Sequence, residues 1–183
     1  MIERLRSIAC DIFAQGARLR CISALFHRER NITQRDTREP QEILAHVTAS
    51  RVALTSAIYG LSEVELTTEG AVGRWSVKDV MAHLGRWEEI CFDELQKHLR
   101  GEQSTEDYRD PLPYNDKWEA ELQALSFPEA IKLFETAHYR LFGLLSSLKS
   151  EQWNGYVRAW VRGSIWHHFE EHGEQIRAWV AGR

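Results

Sequence analysis

Apolar residues along this chain recur mainly at three- and four-residue spacing, and no segment alternates in the strand manner for long. After Pro40, a residue suited to a first helical turn, Ile43, Val47, Leu54, Ile58 and Leu61 mark an amphipathic helix ending near Gly60. Ser62-Glu63-Val64-Glu65 reads as a capping box for one further turn before a glycine-containing loop at residues 70–73. The next start signal is stronger. Ser76 is a good N-cap, Asp79 stands three residues on, and Trp75 is placed to staple onto Val80. Val77, Val80, Met81, Leu84, Trp87, Cys91 and Leu95 continue with helical spacing to about Arg100, where Gly101 suits a C-cap.

From Gln103 to Asn115, with Pro111 and Pro113, the pattern predicts a long loop of the kind that often forms a lid. A short helical stretch from Trp118 to Leu125 leads to Ser126-Phe127-Pro128-Glu129, another serine with an acid three residues later. Phe127, Ile131, Phe134, His138, Leu141, Leu145 and Leu148 then share one seam. The last helix is expected to start near Ser164, with Ile165, His168, Phe169, His172, Ile176 and Trp179 on a common face. Four long helices predict an all-α four-helix bundle over residues 39–183, with no internal repeat.

Three histidines carry the candidate chemistry. His168 and His172 are four residues apart on one helical face, so their imidazoles can converge on one divalent transition ion. Such a pair needs structural context, and His83 supplies it, two turns into the capped helix and at the edge of its apolar stripe. Three neutral imidazoles would leave open positions on an ion, the arrangement of a catalytic site, and would acidify a bound water or thiol towards a pKa of about 7. Zinc and nickel both suit these ligands. The alternative is three polar residues at the margins of a core. His138 lies on an apolar seam, either completing the site or as a satisfied core residue. Glu171, between the last two histidines, is a solvated position or a general base. No other catalytic residue suggests itself. His167 points about 100° away from His168, towards the surface. Trp87 and Trp179 read as core, while Trp160 and Trp166 are placed to line a pocket.

Composition narrows the classes. A chain of 183 residues with 43% hydrophobic content suffices for one well-buried domain. A net charge of −4 and a pI near 6.1 give no nucleic-acid footprint, and no apolar run is long enough to span a bilayer. Cys10, Cys21 and Cys91 are odd in number and widely spaced, against a disulfide framework and in keeping with reduced cytoplasm. Charge is uneven. Residues 1–38 carry eight Arg against four acids, which marks them as a basic N-terminal extension. The readings for it are a loosely attached arm or helix, an Arg-rich presequence, or an early reading-frame start.

Trp75-Ser76-x-Lys78-Asp79-x3-His83-Leu84, followed some eighty residues later by His168-x3-His172-x2-Gln175-Ile176, resembles the DinB/YfiT-like superfamily of four-helix bundles over about residues 40–181. The resemblance implies a metal site at His83, His168 and His172. The stretch from Glu42 through the Asn115 region to Ile176-Arg177-Ala178-Trp179 is similar to the ClbS/DfsB-like branch, some members of which protect cells against genotoxins. Other branches are thiol-dependent transferases and isomerases that use bacillithiol, mycothiol or glutathione. The expectation is therefore a metal-dependent hydrolase or thiol-dependent transferase acting on a small electrophilic or toxic molecule, in detoxification, with zinc or nickel and a low-molecular-weight thiol as candidate cofactors. A binding or sequestering resistance protein without obligatory metal is the alternative, and a homodimeric structural bundle with remnant histidines is a third.

Overall fold

The computed structural model describes residues 36–108 and 110–183, and the expectations for residues 1–35, including Cys10 and Cys21, lie outside them. Among the described residues seven α-helices follow in order: α1 (Pro40–Ile58), α2 (Glu63–Thr67), α3 (Val77–Leu99), α4 (Leu112–Gln123), α5 (Phe127–Ser147), α6 (Gly155–Val161) and α7 (His167–Ala181). Among the described residues there is no strand, only an isolated antiparallel bridge between Val72 and Trp75. The long rods are α1, α3, α5 and the α6–α7 unit, which form the four-helix bundle. Its largest packing surfaces are α3 on α5 and α1 on α7.

Local signals set the helix starts. Ser76 and Asp79 close a reciprocal box: Asp79 N–H donates to Ser76 Oγ at 3.2 Å, while Asp79 Oδ2 accepts from the Ser76 backbone at 2.9 Å. The same device opens α2 at Ser62/Glu65 and α5 at Ser126/Glu129. Gly60 and Gly101 end α1 and α3 with φ of +87° and +76°, a region that other residues rarely enter.

α3 is the central helix, buried over most of its circumference in its first half. Val77, Val80, Leu84, Cys91 and Leu95 are fully enclosed, as the stripe predicts. At Gly85 the packing tightens: a Cβ there would lie 2.9 Å from both the Cα and the N of Phe134, so the α3 and α5 backbones touch. Facing them, Phe134, Leu141 and Leu145 of α5 and Ile165, Phe169 and Ile176 of the last helix complete one core.

Two boundaries differ from the sequence pattern. The loop after α3 ends earlier than expected, because Pro111 and Pro113 sit at the start of α4, where a missing N–H costs nothing. The last helix begins nine residues earlier, at Gly155, with Asn154 Oδ1 accepting from the N–H groups of Tyr156 and Val157 at 3.0 and 3.2 Å. Between α6 and α7, Arg162–Trp166 form a π-helical turn, which makes 155–181 one continuous rod with a register shift just before His168. Of the proposed extension, Asp36–Arg38 are described. The Arg158 guanidinium donates to the Arg38 carbonyl at 2.7 Å, and the Arg38 guanidinium lies 4.6 Å from the centre of the Trp166 ring.

Candidate metal centre

His83 comes from α3, two turns beyond the capped start, and His168 and His172 come from the first turns of α7. The fold brings all three together. Each offers a ring nitrogen within 4.8 Å of the others, and all three are buried, at 1%, 0% and 0% exposure. His83 Nε2 and His168 Nε2 are 2.9 Å apart with their rings near perpendicular at 84°. For metal–nitrogen bonds of about 2.1 Å, neighbouring ligand atoms on one ion stand roughly 3 Å apart.

Electrostatics keep these rings neutral. Burial pushes the pKa of His83 well below the ordinary imidazole value, and the nearby His168 and His172 push it further. His168 is lowered by burial and then by His172, with a small opposing pull from the Ser164 carbonyl, which lies near without meeting hydrogen-bond geometry. His172 falls to about 4 through burial, opposed by Gln175. Gln175 Oε1 lies 2.7 Å from His172 Nδ1 and accepts its hydrogen, which leaves the lone pair on Nε2. A neutral imidazole with an exposed lone pair is the form that binds a metal.

The Trp75-Ser76-x-Lys78-Asp79 block has a second role, as a clamp on α4. Lys78 Nζ donates to the carbonyls of Gln123 and Leu125 at 2.7 and 2.9 Å, at the negative end of α4, and lies 2.9 Å from Asp79 Oδ1. Trp75 Nε1 donates to Glu119 Oε1 at 2.7 Å, and Arg74 pairs with the same carboxylate. Trp87 Nε1 donates to Asn115 Oδ1 at 3.0 Å. The indoles so anchored flank His83, with ring centres 4.7 Å (Trp75) and 6.5 Å (Trp87) from it. Asn115 and Glu119, one turn apart on α4, thus hold the two tryptophans beside the histidine.

The other sequence candidates fall elsewhere. His138 Nδ1 is 2.7 Å from Glu88 Oε1, so its partner is a buried carboxylate rather than the three-histidine group. Glu171 is partly buried and is not among the residues that converge with the three histidines. The His167 side chain is 41% exposed and 3.5 Å from Glu170. Trp166 is buried against His46, while Trp160 is partly exposed and meets Tyr108. Cys91 is fully buried, and burial together with Glu88 and Glu94 holds its thiol well above its usual range, so it is no thiolate nucleophile. Periodicity alone did not reveal Glu88, Glu94, Asn115 or Glu119, because polar residues on a helix normally mark its solvent face.

A DinB superfamily profile matches residues 46–179. The chain belongs to the DinB superfamily. No curated protein matches it in sequence. Among solved structures it is similar to "Sibling Lethal Factor Precursor - DfsB", with 15% identity and a TM-score of 0.67 over 80% of this chain and 98% of that one. At that identity the likeness is one of fold, and it agrees with the resemblance to DfsB-like members.

Proposed function

We propose that this DinB protein is a metal-dependent enzyme acting on a small electrophilic or toxic molecule, as a hydrolase or a thiol-dependent transferase, with His83, His168 and His172 as the ligands of a zinc or nickel ion. The observation that carries the reading is the convergence of three buried, neutral imidazoles from two helices, one of them fixed as the Nδ1–H form by Gln175. The donor set fits: three uncharged nitrogens leave the ion its full charge and open positions. Such an ion would supply an acidified water or thiol at neutral pH. The chain's own contribution is to hold the three rings, to orient His172 through Gln175, and to exclude water with Trp75, Trp87 and α4.

A second reading, a binding or sequestering protein, is favoured by the aromatic cluster of Trp87, Tyr108, Tyr114 and Trp118 beside His83. Elemental analysis of untagged protein separates the two. The enzyme reading expects about one divalent ion per chain, lost in His83→Ala and His168→Ala and retained in His167→Ala. Retention of the ion in His168→Ala, or its absence from protein grown with zinc and nickel, would overturn that reading.

A further inference from the structure

Residues 155–181 run as one rod through α6, the Arg162–Trp166 turn and α7. At the turn the His167 N–H bonds to the Arg162 carbonyl, five residues back in place of the usual four. A turn of this kind takes up one residue more than an α-helix over the same path, so the flanking helices keep phase as if that residue were missing. Burial along the rod records the offset. Counted from Val157 at about 100° per residue without it, Trp166 would point about 180° away and Gly173 about 160° away, both out of the core. Trp166 is instead 2% exposed and packs edge-on against His46, and Gly173 backs onto Leu54, both on α1.

Taking one residue out of the count restores a single core face. Ile165, Phe169 and Ile176, all buried, then fall within about 20° of Val157. Trp166 and Gly173 lie about 60–80° to one side, towards α1, and His168 and His172 about 40–80° to the other. That other side is where α3 brings His83, whose Nε2 is 2.9 Å from that of His168. Without the offset α7 would turn by about 100° against α6, carrying both histidines off His83 towards the α1 side and Phe169 out of the core. The i, i+4 spacing makes the two imidazoles neighbours but does not aim them.

We propose that the π-helical turn Arg162–Trp166 is the positioning element of the metal centre: by taking up one residue it sets the phase at which α7 presents His168 and His172 to His83. This role rests on the reading of the three histidines as ligands, whereas the surplus residue in the rod does not. Gly163 is the residue to remove, because it is partly exposed and brings no side chain. A chain shortened by Gly163 closes the rod as plain α-helix with both flanks in their native phase. A chain with one alanine added after Gly163 has a second residue to absorb, and α7 has to rotate.

The test compares full-length wild type, the Gly163 deletion and the alanine insertion. Circular dichroism and thermal melting of chelator-treated protein read the fold, and titration with cobalt(II), followed by its visible absorbance, reads the centre. The deletion should keep wild-type helicity and a Tm within about 5 °C, and bind cobalt within about threefold of wild type. The insertion should remain helical and bind cobalt at least about a hundredfold more weakly, since two of three ligands are turned away. A merely structural turn predicts instead that losing or adding a residue harms fold and affinity alike. Unfolding of the deletion, loss of cobalt from a folded deletion, or wild-type affinity in the insertion would overturn the proposal. If the insertion unfolds, the deletion decides alone. If wild type binds no cobalt, the metal reading falls, and the helicity and Tm of the deletion still decide whether the rod carries a surplus residue.

Discussion

The buried imidazoles make the stability of metal-free protein fall in mild acid, and His172 sets a worked magnitude. Its pKa drops from the ordinary 6.5 to about 4 in the fold. Between those values the unfolded chain binds the proton and the native chain does not, so stability rises with pH across the window. The contribution is complete above about pH 6.5, is lost as pH falls, and is fully gone below about pH 4. At about pH 5 the loss from His172 alone is roughly 2 kcal/mol, since each pKa unit is worth about 1.4 kcal/mol. His83 and His168 are lowered for the same reason and add in the same sense. Glu88 acts oppositely: burial raises its carboxyl, so its contribution is present at low pH and lost as pH rises through its folded value. Urea denaturation of chelator-treated protein at about pH 7.5 and pH 5, for wild type and His172→Gln, isolates the imidazole because Glu88 is common to both. The wild type should lose about 2 kcal/mol more than the variant between the two pH values. Equal losses would show that His172 is not held neutral in the native protein, and the electrostatic account of the centre would fail.

Gly85→Ala should destabilise the bundle by about 1–3 kcal/mol in thermal denaturation, because the gain of about 1 kcal/mol in helix propensity is outweighed by a Cβ driven into the Phe134 backbone. Lys78→Met should cost about 1–3 kcal/mol in urea denaturation, by removing the cation beside Asp79 and leaving the Gln123 and Leu125 carbonyls without their donor. Deleting residues 1–35 while keeping Asp36–Arg38 should leave helicity and Tm nearly unchanged; a cooperative loss of stability would show that the extension packs on the bundle.

The bundle was legible in the sequence because helix period and caps agree over α1, α3 and α5: the Ser76/Asp79 and Ser126/Glu129 boxes open helices at the residues expected. The start of the last helix was not, because Asn154-Gly155 reads as a turn and Gly163 interrupts the pattern, whereas the structure uses Asn154 as a cap and absorbs the interruption in a π-helical turn. The histidines were legible for a related reason. Three imidazoles on apolar stripes are conspicuous, while Glu88 and Glu94 look like surface acids until α5 and α6 cover them. His138 shows the limit of that reasoning, since its place on an apolar seam is explained by a carboxylate on the facing helix that no single-helix pattern contains.

The clamp on α4 joins these observations into one constraint on how the centre works. A site at 0–1% exposure cannot exchange ligands unless something over it moves. The core helices α3 and α5 are locked by backbone contact at Gly85, so motion there would cost the packing of the whole bundle. α4 is different: it adds only Asn115 and Leu122 to the buried set, lays the partly buried Tyr114 and Trp118 against Trp87, and is otherwise held by polar contacts from Arg74, Trp75, Lys78 and Trp87. Hydrogen bonds of this kind contribute about 1 kcal/mol each on balance, because water replaces them when they open. Local opening of α4 is thus far cheaper than global unfolding, and it would free the indoles of Trp75 and Trp87 from beside His83 while leaving the three ligand-bearing turns in place. On the proposed reading, the residues next to His83 in sequence therefore do two jobs: they start the helix that carries the histidine, and they latch the helix that closes over it.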